Sequence, residues 1–206
     1  MAVLTISRMF GTGARELGES IAQRLGYSFF DHELIQMVAE QAKVSAEWVA
    51  NMEQTAGGRF QKFLATLVPR NLMEMIQNAE YGERDEEIYA DMLNRVIGKI
   101  AAEGDAIILG RGGQYILKDH PDTCHALMVA DLDYRINYTR QRFELTRKQA
   151  LLAVAMEDKR RVNLYRKLGK VDYDQADHYH ITLNMRLTPL KTAGDMLCAM
   201  LAEDRS

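Results

Sequence analysis

The sequence lacks the features that would indicate a secreted, membrane-spanning or disulfide-linked protein. It has only two cysteines, Cys124 and Cys198, which are far apart and form no CxxC metal-binding pattern. It contains no run of about 18 apolar residues that would span a membrane. The first residues, MAVLTIS, enter an apolar strand without the basic segment of a signal peptide. We therefore expect a cytoplasmic protein with reduced thiols and no membrane partner.

The sequence also lacks an excess of positive charge. Its formal net charge is -3, whereas a general nucleic-acid-binding protein needs clustered basic residues to neutralise phosphates. Any basic site must therefore be local, and we expect no nucleic-acid partner. With 47% hydrophobic residues, the chain is long enough to bury one sizeable core, so we expect a single domain over residues 1–206 that carries an insertion.

Apolar segments of two periodicities alternate along the chain. Short apolar runs predict five buried parallel strands, at 2–6, 27–30, 105–109, 124–129 and 178–184. Apolar residues recur at helical spacing through 32–103, which we interpret as a helical insertion. A basic helical region covers 134–170. Strands that alternate with helices predict an α/β fold with a parallel sheet covered on both faces. The core of this domain would comprise approximately 1–31 and 104–206.

A glycine-containing loop, within ISRMFGTGARELG, joins the first strand to a helix. Backbone amides at the start of a helix favour an anion, but a loop of the form GxxxxGK[ST] needs a lysine where this chain has Ala14. Arg8 or Arg15 would have to replace that charge. A tight turn is the alternative explanation of the glycines. The candidate nucleotide-binding residues are Arg8, Gly11, Thr12, Gly13, Ala14, Arg15 and Glu16.

Polar residues with possible roles in binding follow two further strands. Asp31 ends the second strand, where its carboxylate would orient an acceptor, although it would also serve as the N-cap of a helix that begins at His32. Arg111 follows the third strand between glycines, and its planar guanidinium suits a phosphate. A structural bond from Arg111 to a loop carbonyl is the alternative. Ligands of open α/β sheets bind beyond the carboxyl ends of the strands, so we expect Asp31, Arg111 and the loop at Gly11 to converge.

A basic segment, EDKRRVNLYRKLGK, precedes the last strand in an otherwise slightly acidic protein. Within it, Arg161 lies at helical spacing from Asp158 and Tyr165, which would hold its guanidinium in a fixed position. The segment also contains Arg166. A solvated charged face is the alternative interpretation.

The chain resembles the cytidylate kinase-like family of P-loop nucleoside monophosphate kinases. The features that carry the resemblance occur in the same order: the glycine loop, the acidic strand end, the Gly-Arg strand end and the basic helix. The resemblance covers nearly the whole chain and is carried by LTISRMFGTGARELGESIAQRLGYSFFDHELI, AIILGRGGQYIL and EDKRRVNLYRKLGKVDYDQADHYHITLN. It implies a P-loop kinase-like fold in which the basic helices at 134–170 form a lid. It also implies ATP or another nucleoside triphosphate with Mg²⁺ as cofactors, and a nucleotide-like small molecule as partner. No residue is expected to form a metal site of its own.

The resemblance also implies roles for individual residues. Arg111 would bind the phosphate of the acceptor, and Arg161 with Arg166 would act from the lid. Asp31 would orient the acceptor, and Arg15 with Arg161 would neutralise the transferring phosphoryl group. The catalytic candidates are therefore Arg15, Asp31 and Arg161, and the substrate-binding candidates are Asp31, Arg111 and Arg166.

Two positions depart from the family's pattern. Cytidylate kinases have Gly-Lys-Gly-Thr where this chain has Gly13 to Glu16, and an acidic residue where it has Gly112. The loss of the lysine motivates a second hypothesis, a non-catalytic nucleotide-binding sensor or regulatory domain. A third is an NAD-type oxidoreductase, since Asp31 ends the second strand, but a G-x-G-x-x-G motif would need glycine at Glu16. The insertion at 32–103 is also a candidate surface for a homodimer.

Overall fold

The computed structural model describes residues 2–31, 83–170 and 173–203, and within them the chain forms one five-stranded sheet. Its strands are β1 (Val3–Arg8), β2 (Ser28–Phe30), β3 (Ala106–Leu109), β4 (Thr123–Val129) and β5 (Ile181–Asn184). Their order across the sheet is β2-β3-β1-β4-β5, and every neighbouring pair is parallel. Because β1 is central, its carboxyl end lies between those of β3 and β4.

Helices connect the strands and cover the sheet. They are α1 (Ala14–Leu25), α2 (Glu83–Glu103), α3 (Gly113–Ile116), α4 (Leu132–Arg142), α5 (Arg147–Lys167) and α6 (Leu190–Glu203). A short 3₁₀ turn, Ala176–His178, precedes β5. The basic region that the sequence predicts as the lid therefore consists of two helices, α4 and α5. The second of these begins with a capping box, in which the Thr146 and Gln149 side chains bond to each other's backbone amides.

The central strand is buried on both faces, which explains its continuous apolar run. Leu4 and Ile6 belong to one core cluster with residues of α1 and α6. Val3 belongs to the opposite cluster, together with Ile97 of α2 and Leu164 of α5. A fully buried leucine or isoleucine contributes roughly 1.5–3 kcal/mol of hydrophobic free energy, so the two clusters fix both layers of helices. The predicted parallel sheet with helices on both faces is confirmed.

The described residues test several of the expectations only in part. The predicted insertion falls mainly on residues 32–82, which lie outside them, and only α2 at its end is described. The proposed domain boundaries and the homodimer surface therefore remain predictions. Both cysteines are free thiols, as expected, and Cys124 is buried. None of the helices in the described ranges is long and apolar enough to span a lipid bilayer.

A buried histidine links the two central strands. His125 of β4 is 4% exposed, and its Nδ1 lies 2.7 Å from the Thr5 hydroxyl on β1. Its backbone amide donates to Nδ1 of His180 at 3.0 Å. Burial, with a smaller effect of the neighbouring His180, lowers the pKa of His125 from 6.5 to about 4. The folded protein therefore holds this ring in its neutral form at neutral pH.

We predict that His125 makes folding stability dependent on pH in mildly acidic solution. Between pH values of 6.5 and about 4 the unfolded chain binds a proton here that the folded chain does not, so the free energy of unfolding falls as pH falls. The loss from about pH 7 to about pH 4.5 should approach roughly 2 kcal/mol. Denaturant unfolding of the wild type and of His125→Gln at both pH values measures it. An equal loss in the two proteins would show that His125 does not carry this dependence.

Candidate functional site

Three arginines gather at the carboxyl edge of the sheet, and we refer to Arg8, Arg111 and Arg161 as the arginine cluster. Arg8 ends β1, Arg111 follows β3, and Arg161 lies on α5. Burial lowers the pKa of Arg8, and the charges of the other two arginines lower it further, while Asp31 opposes them. Because arginine is not deprotonated in proteins, this edge concentrates positive charge with little water around it.

Gly110 provides the space that the Arg8 side chain occupies. A Cβ atom at Gly110 would overlap Nη1 of Arg8 and would lie 3.1 Å from its Cζ. Gly110 also has a left-handed backbone, with φ of 78°. Only a residue without a side chain therefore permits both the turn after β3 and the position of Arg8.

The two following glycines, Gly112 and Gly113, also lie close to other side chains, and Gly112 has a left-handed backbone with φ of 72°. A Cβ atom at Gly112 would lie 2.5 Å from Cδ1 of Leu168, just beyond α5, and one at Gly113 would lie 3.1 Å from Cγ2 of Thr5. Cytidylate kinases have an acidic residue at the position of Gly112. In this chain the terminal methyl group of Leu168 would have to move to admit a side chain at position 112.

Arg161 is held by several groups at once. Its Nη1 donates to Oδ2 of Asp174 at 2.6 Å, and its Nη2 donates to the same carboxylate and to the Ser7 hydroxyl, the latter at 3.0 Å. Its guanidinium also lies 5.2 Å from the ring centroid of Tyr165 and 5.4 Å from that of Tyr173. Burial alone would lower the pKa of Arg161, but the hydrogen bonds to Asp174, together with the charge interactions with Asp174 and neighbouring tyrosines, raise it. The guanidinium is thus fixed beside the end of β1.

The carboxylate predicted to hold Arg161 has a different partner. Asp158 accepts hydrogen bonds from Nη1 of Arg135 on α4, at 2.8 and 3.0 Å. Arg135 is only 8% exposed, so its charge needs a nearby anion. Helical spacing correctly indicated Tyr165 as a neighbour of Arg161, but it did not reveal the competing cation from a second helix.

Arg15 joins the start of α1 to the end of β2. Its Nη1 donates to Oδ2 of Asp31 at 2.6 Å, and its Nε donates to Oε1 of Glu19 at 2.9 Å. The Asp31 side chain is 8% exposed, whereas that of Arg15 is 44% exposed. The helix that the alternative N-cap role of Asp31 requires lies outside the described residues. The structure shows an ion pair between Asp31 and Arg15.

The loop between β1 and α1 has two left-handed glycines, Gly11 with φ of 84° and Gly13 with φ of 78°. Gly13 is the N-cap residue of α1, and the Thr12 hydroxyl donates to the carbonyl oxygen of Met9 at 2.8 Å. The first amides of a helix have no partner within the helix. Because α1 begins at Ala14, these donors lie at the same edge of the sheet as the arginine cluster.

Helix α4 covers one side of this loop. A Cβ atom at Gly11 would lie 2.7 Å from the Arg135 carbonyl oxygen, so only glycine allows α4 to approach so closely. Glu16 accepts a hydrogen bond from Nε of Arg142 at 2.8 Å and another from the Tyr138 hydroxyl. Burial would raise the pKa of Glu16, but these two bonds lower it. The Glu16 carboxylate is therefore directed toward α4.

A nucleoside triphosphate with Mg²⁺ needs donors and cations for its phosphates and oxygen ligands for the metal ion. The start of α1 and the arginine cluster suit phosphate groups. The threonine of the Gly-Lys-Gly-Thr pattern falls on Glu16, which Arg142 and Tyr138 already engage, so this hydroxyl is not available to Mg²⁺. No group of three or more His, Cys, Asp or Glu side chains in the described part of the chain is arranged to hold a metal ion. The described residues thus fit the phosphates and supply no separate set of ligands for Mg²⁺.

The structure brings most of the site residues predicted from the sequence to one edge of the sheet, but not all of them. Arg8, Arg15, Asp31, Arg111 and Arg161 lie at the same edge of the sheet as the glycine loop, whereas Arg166 is exposed on the last turn of α5. Sequence reasoning missed other contributors to this edge: Ser7, Tyr138, Arg142, Tyr173 and Asp174. The position of Ser7 before Arg8 at a strand end was a usable signal. No spacing rule pointed to the others, because Tyr138 and Arg142 reach the site through the packing of α4, and Tyr173 and Asp174 through the segment that follows α5.

Comparisons with known proteins identify the family and the fold of the chain. The sequence matches the model of the cytidylate kinase-like family over residues 3–187. The structure is similar to that of an uncharacterized protein from Eubacterium ventriosum ATCC 27560, at 20% identity, 98% coverage of each chain and a TM-score of 0.68. It is also similar to a gluconokinase from Sinorhizobium meliloti 1021, at 11% identity, coverage of 98% of this chain and 92% of that one, and a TM-score of 0.52.

A third similar structure is a shikimate kinase from Bacteroides thetaiotaomicron, at 10% identity, 98% coverage of each chain and a TM-score of 0.51. At these identities the structural matches show the fold alone. No curated protein matches the chain.

We predict that Gly110→Ala destabilises the protein more than Gly26→Ala does. Gly26 has a similar left-handed backbone, with φ of 70°, but nothing lies within 4 Å of a Cβ atom there. Both variants should lose about 1 kcal/mol or more to backbone strain. Gly110→Ala should lose roughly 1–3 kcal/mol in addition, because it displaces Arg8. Denaturant unfolding measures the difference.

A double-mutant cycle isolates the contact between the two residues. In an Arg8→Ala background, Gly110→Ala should cost no more than Gly26→Ala, because the overlapping guanidinium is gone. Equal costs of the two glycine substitutions in the wild-type background would show that Gly110 does not make the space for Arg8.

Proposed function

The chain belongs to the cytidylate kinase-like family, and on that premise we propose that it is a phosphotransferase. It moves a phosphoryl group from ATP or another nucleoside triphosphate to a nucleotide-like small molecule. The observation that supports this most is the arginine cluster beside Asp31, at the sheet edge where the glycine loop begins α1. Phosphoryl transfer requires mainly positioning and neutralisation of negative charge, and these residues supply both.

In this proposal Arg8 supplies the positive charge that Ala14 cannot. A GxxxxGK loop that ends at Gly13 would begin with glycine at position 8, and this chain has arginine there. The cation thus stands at the start of the loop rather than after its last glycine, and the space at Gly110 accommodates it. An arginine is a planar fork and not a compact point charge, so the contact with phosphate has a different geometry.

Arg15 takes a positioning role in the same proposal. Its guanidinium donates to both Asp31 and Glu19, which turns it toward β2. We assign to Asp31 the orientation of the acceptor, and to Arg15 the holding of that carboxylate in place. Arg111 then binds the phosphate of the acceptor. Arg166 remains a prediction from the sequence, because it is exposed on α5.

The remaining assignments concern the nucleotide. Its phosphates would lie at the start of α1, where unpaired amides and the helix dipole favour an anion. Mg²⁺ would accompany these phosphates and neutralise part of their charge. We assign no protein residue to the metal ion. Arg161, fixed by Asp174 and Ser7, would face the transferring group from the lid.

A nucleotide-binding domain without transferase activity is the second candidate, and Ala14 is the observation that favours it. The arginine cluster would still hold a nucleotide in such a domain. The third hypothesis, an NAD-type oxidoreductase, is disfavoured by Glu16 and by the arginines, which have no task in hydride transfer.

We predict that Arg8→Ala weakens nucleotide binding far more than Arg15→Ala does. Loss of a hydrogen bond to a charged group costs roughly 1.5–3 kcal/mol, which is about a 10- to 150-fold increase in Kd. Arg15→Ala should weaken binding less than about tenfold, since its guanidinium engages two carboxylates. Arg24→Ala, on the same helix but paired with Asp195, is the control and should change little. Titration with nucleoside triphosphates and Mg²⁺ measures all four proteins.

The outcomes separate the candidates. Equal affinities of Arg8→Ala and Arg24→Ala would contradict the role of Arg8. Tight binding in the wild type, with transfer to a nucleoside monophosphate or related acceptor, would support the kinase. Binding without transfer to any acceptor would favour the sensor. No binding of any nucleotide would contradict both.

A further inference from the structure

A cavity separate from the arginine cluster lies between α3, the carboxyl end of α5 and the segment before β5. Its volume is about 540 Å³, within the usual range for small-molecule sites. Charged, polar and aromatic side chains line it. Those that matter for its chemistry are Tyr115, Lys118, Lys170, Asp177, His178 and His180. We refer to this cavity as the lysine pocket.

The charges around the lysine pocket favour an anion. Lys118 and Lys170 contribute two positive charges, and Asp177 contributes one negative charge. Both lysines are exposed, and neither forms an ion pair with another residue of the described ranges. The Lys170 ammonium lies 5.2 Å from the ring centroid of Tyr115, which positions it at the pocket wall. Among the described residues that line the pocket, one positive charge is therefore in excess.

Neutral hydrogen-bond donors lie beside the lysines. Nδ1 of His180 accepts from the His125 amide at 3.0 Å, so the proton of the neutral His180 ring is on Nε2, which can donate. Nδ1 of His178 lies 3.3 Å from the Tyr115 hydroxyl. Two ammonium groups with imidazole and phenol groups form a set that matches an anion with several oxygen atoms.

A hydrogen-bonded wall divides the lysine pocket from the arginine cluster. Nε2 of Gln114 donates to the hydroxyls of Tyr165 and Tyr179, at 3.1 Å each. The Tyr165 hydroxyl lies 2.9 Å from that of Ser7, which bonds to Arg161. Gln114 lines the lysine pocket, and Tyr165 contacts Arg161 on the other side. A ligand of the lysine pocket would thus occupy a second site, distinct from the nucleotide site proposed above.

We propose that the lysine pocket binds a small anion that carries phosphate groups. This inference does not depend on the proposed transferase activity, because none of the pocket's lysines or histidines belongs to the arginine cluster or the glycine loop.

The test uses inorganic pyrophosphate and the whole protein, followed by NMR of the histidine rings. The chain has five histidines, and the variants His178→Gln and His180→Gln assign the two resonances that report on the pocket. Both resonances should shift saturably with pyrophosphate. The double variant Lys118→Met with Lys170→Met should weaken the binding reported by these rings by at least about tenfold. Both lysines are exposed, so the fold should tolerate the change.

The control removes the same charge elsewhere. Lys148→Met with Lys191→Met, at two exposed positions away from the pocket, should leave the affinity reported by His178 and His180 unchanged. Absence of saturable shifts in the wild type would overturn the proposal. So would equal affinities of the two double variants, because general attraction to a charged surface would then explain the shifts.

Discussion

The placement of the Arg8 guanidinium at the end of the central strand is the constraint on which the rest of the site depends. A cation with so little water around it needs space and a nearby anion. Gly110 provides the space, and Asp31 is the attractive charge. Asp31 is in turn held by Arg15 from the start of α1. One side chain of β1 therefore links three parts of the structure: the turn after β3, the end of β2 and the first turn of α1.

The strand order makes this convergence possible. Because β1 lies between β3 and β4, residues at its carboxyl end have neighbours on both sides, and α5 crosses the same edge with Arg161. The opposite charge of Asp174, on the segment that follows α5, fixes Arg161 there. Each layer of helices is anchored by its own apolar cluster, so the polar edge does not have to supply the stability of the fold.

Periodicity and turn residues were sufficient to predict the five strands, the parallel sheet and the edge at which Asp31 and Arg111 lie. They were not sufficient for the contacts that give the site its geometry. Arg8 and Gly110 are far apart in sequence, and no local pattern links an arginine to the glycine that makes room for it. Asp158 shows the same limit. Helical spacing pairs this carboxylate with Arg161, but in the structure it accepts a hydrogen bond from Arg135 of a neighbouring helix.

In the proposed function Arg8 replaces the P-loop lysine, and an arginine at this position would present its charge differently. A lysine at the start of a helix is a flexible point charge that can follow a phosphate, whereas the Arg8 fork is confined beside Gly110. Arg161 is similarly confined by Asp174, Ser7 and two tyrosine rings, before any ligand is bound. Fixed cations need little reorganisation when negative charge develops near them, and for this reason preorganised sites stabilise such charge strongly. A loop without its lysine can therefore still serve a phosphoryl group, provided that the group fits cations that do not move.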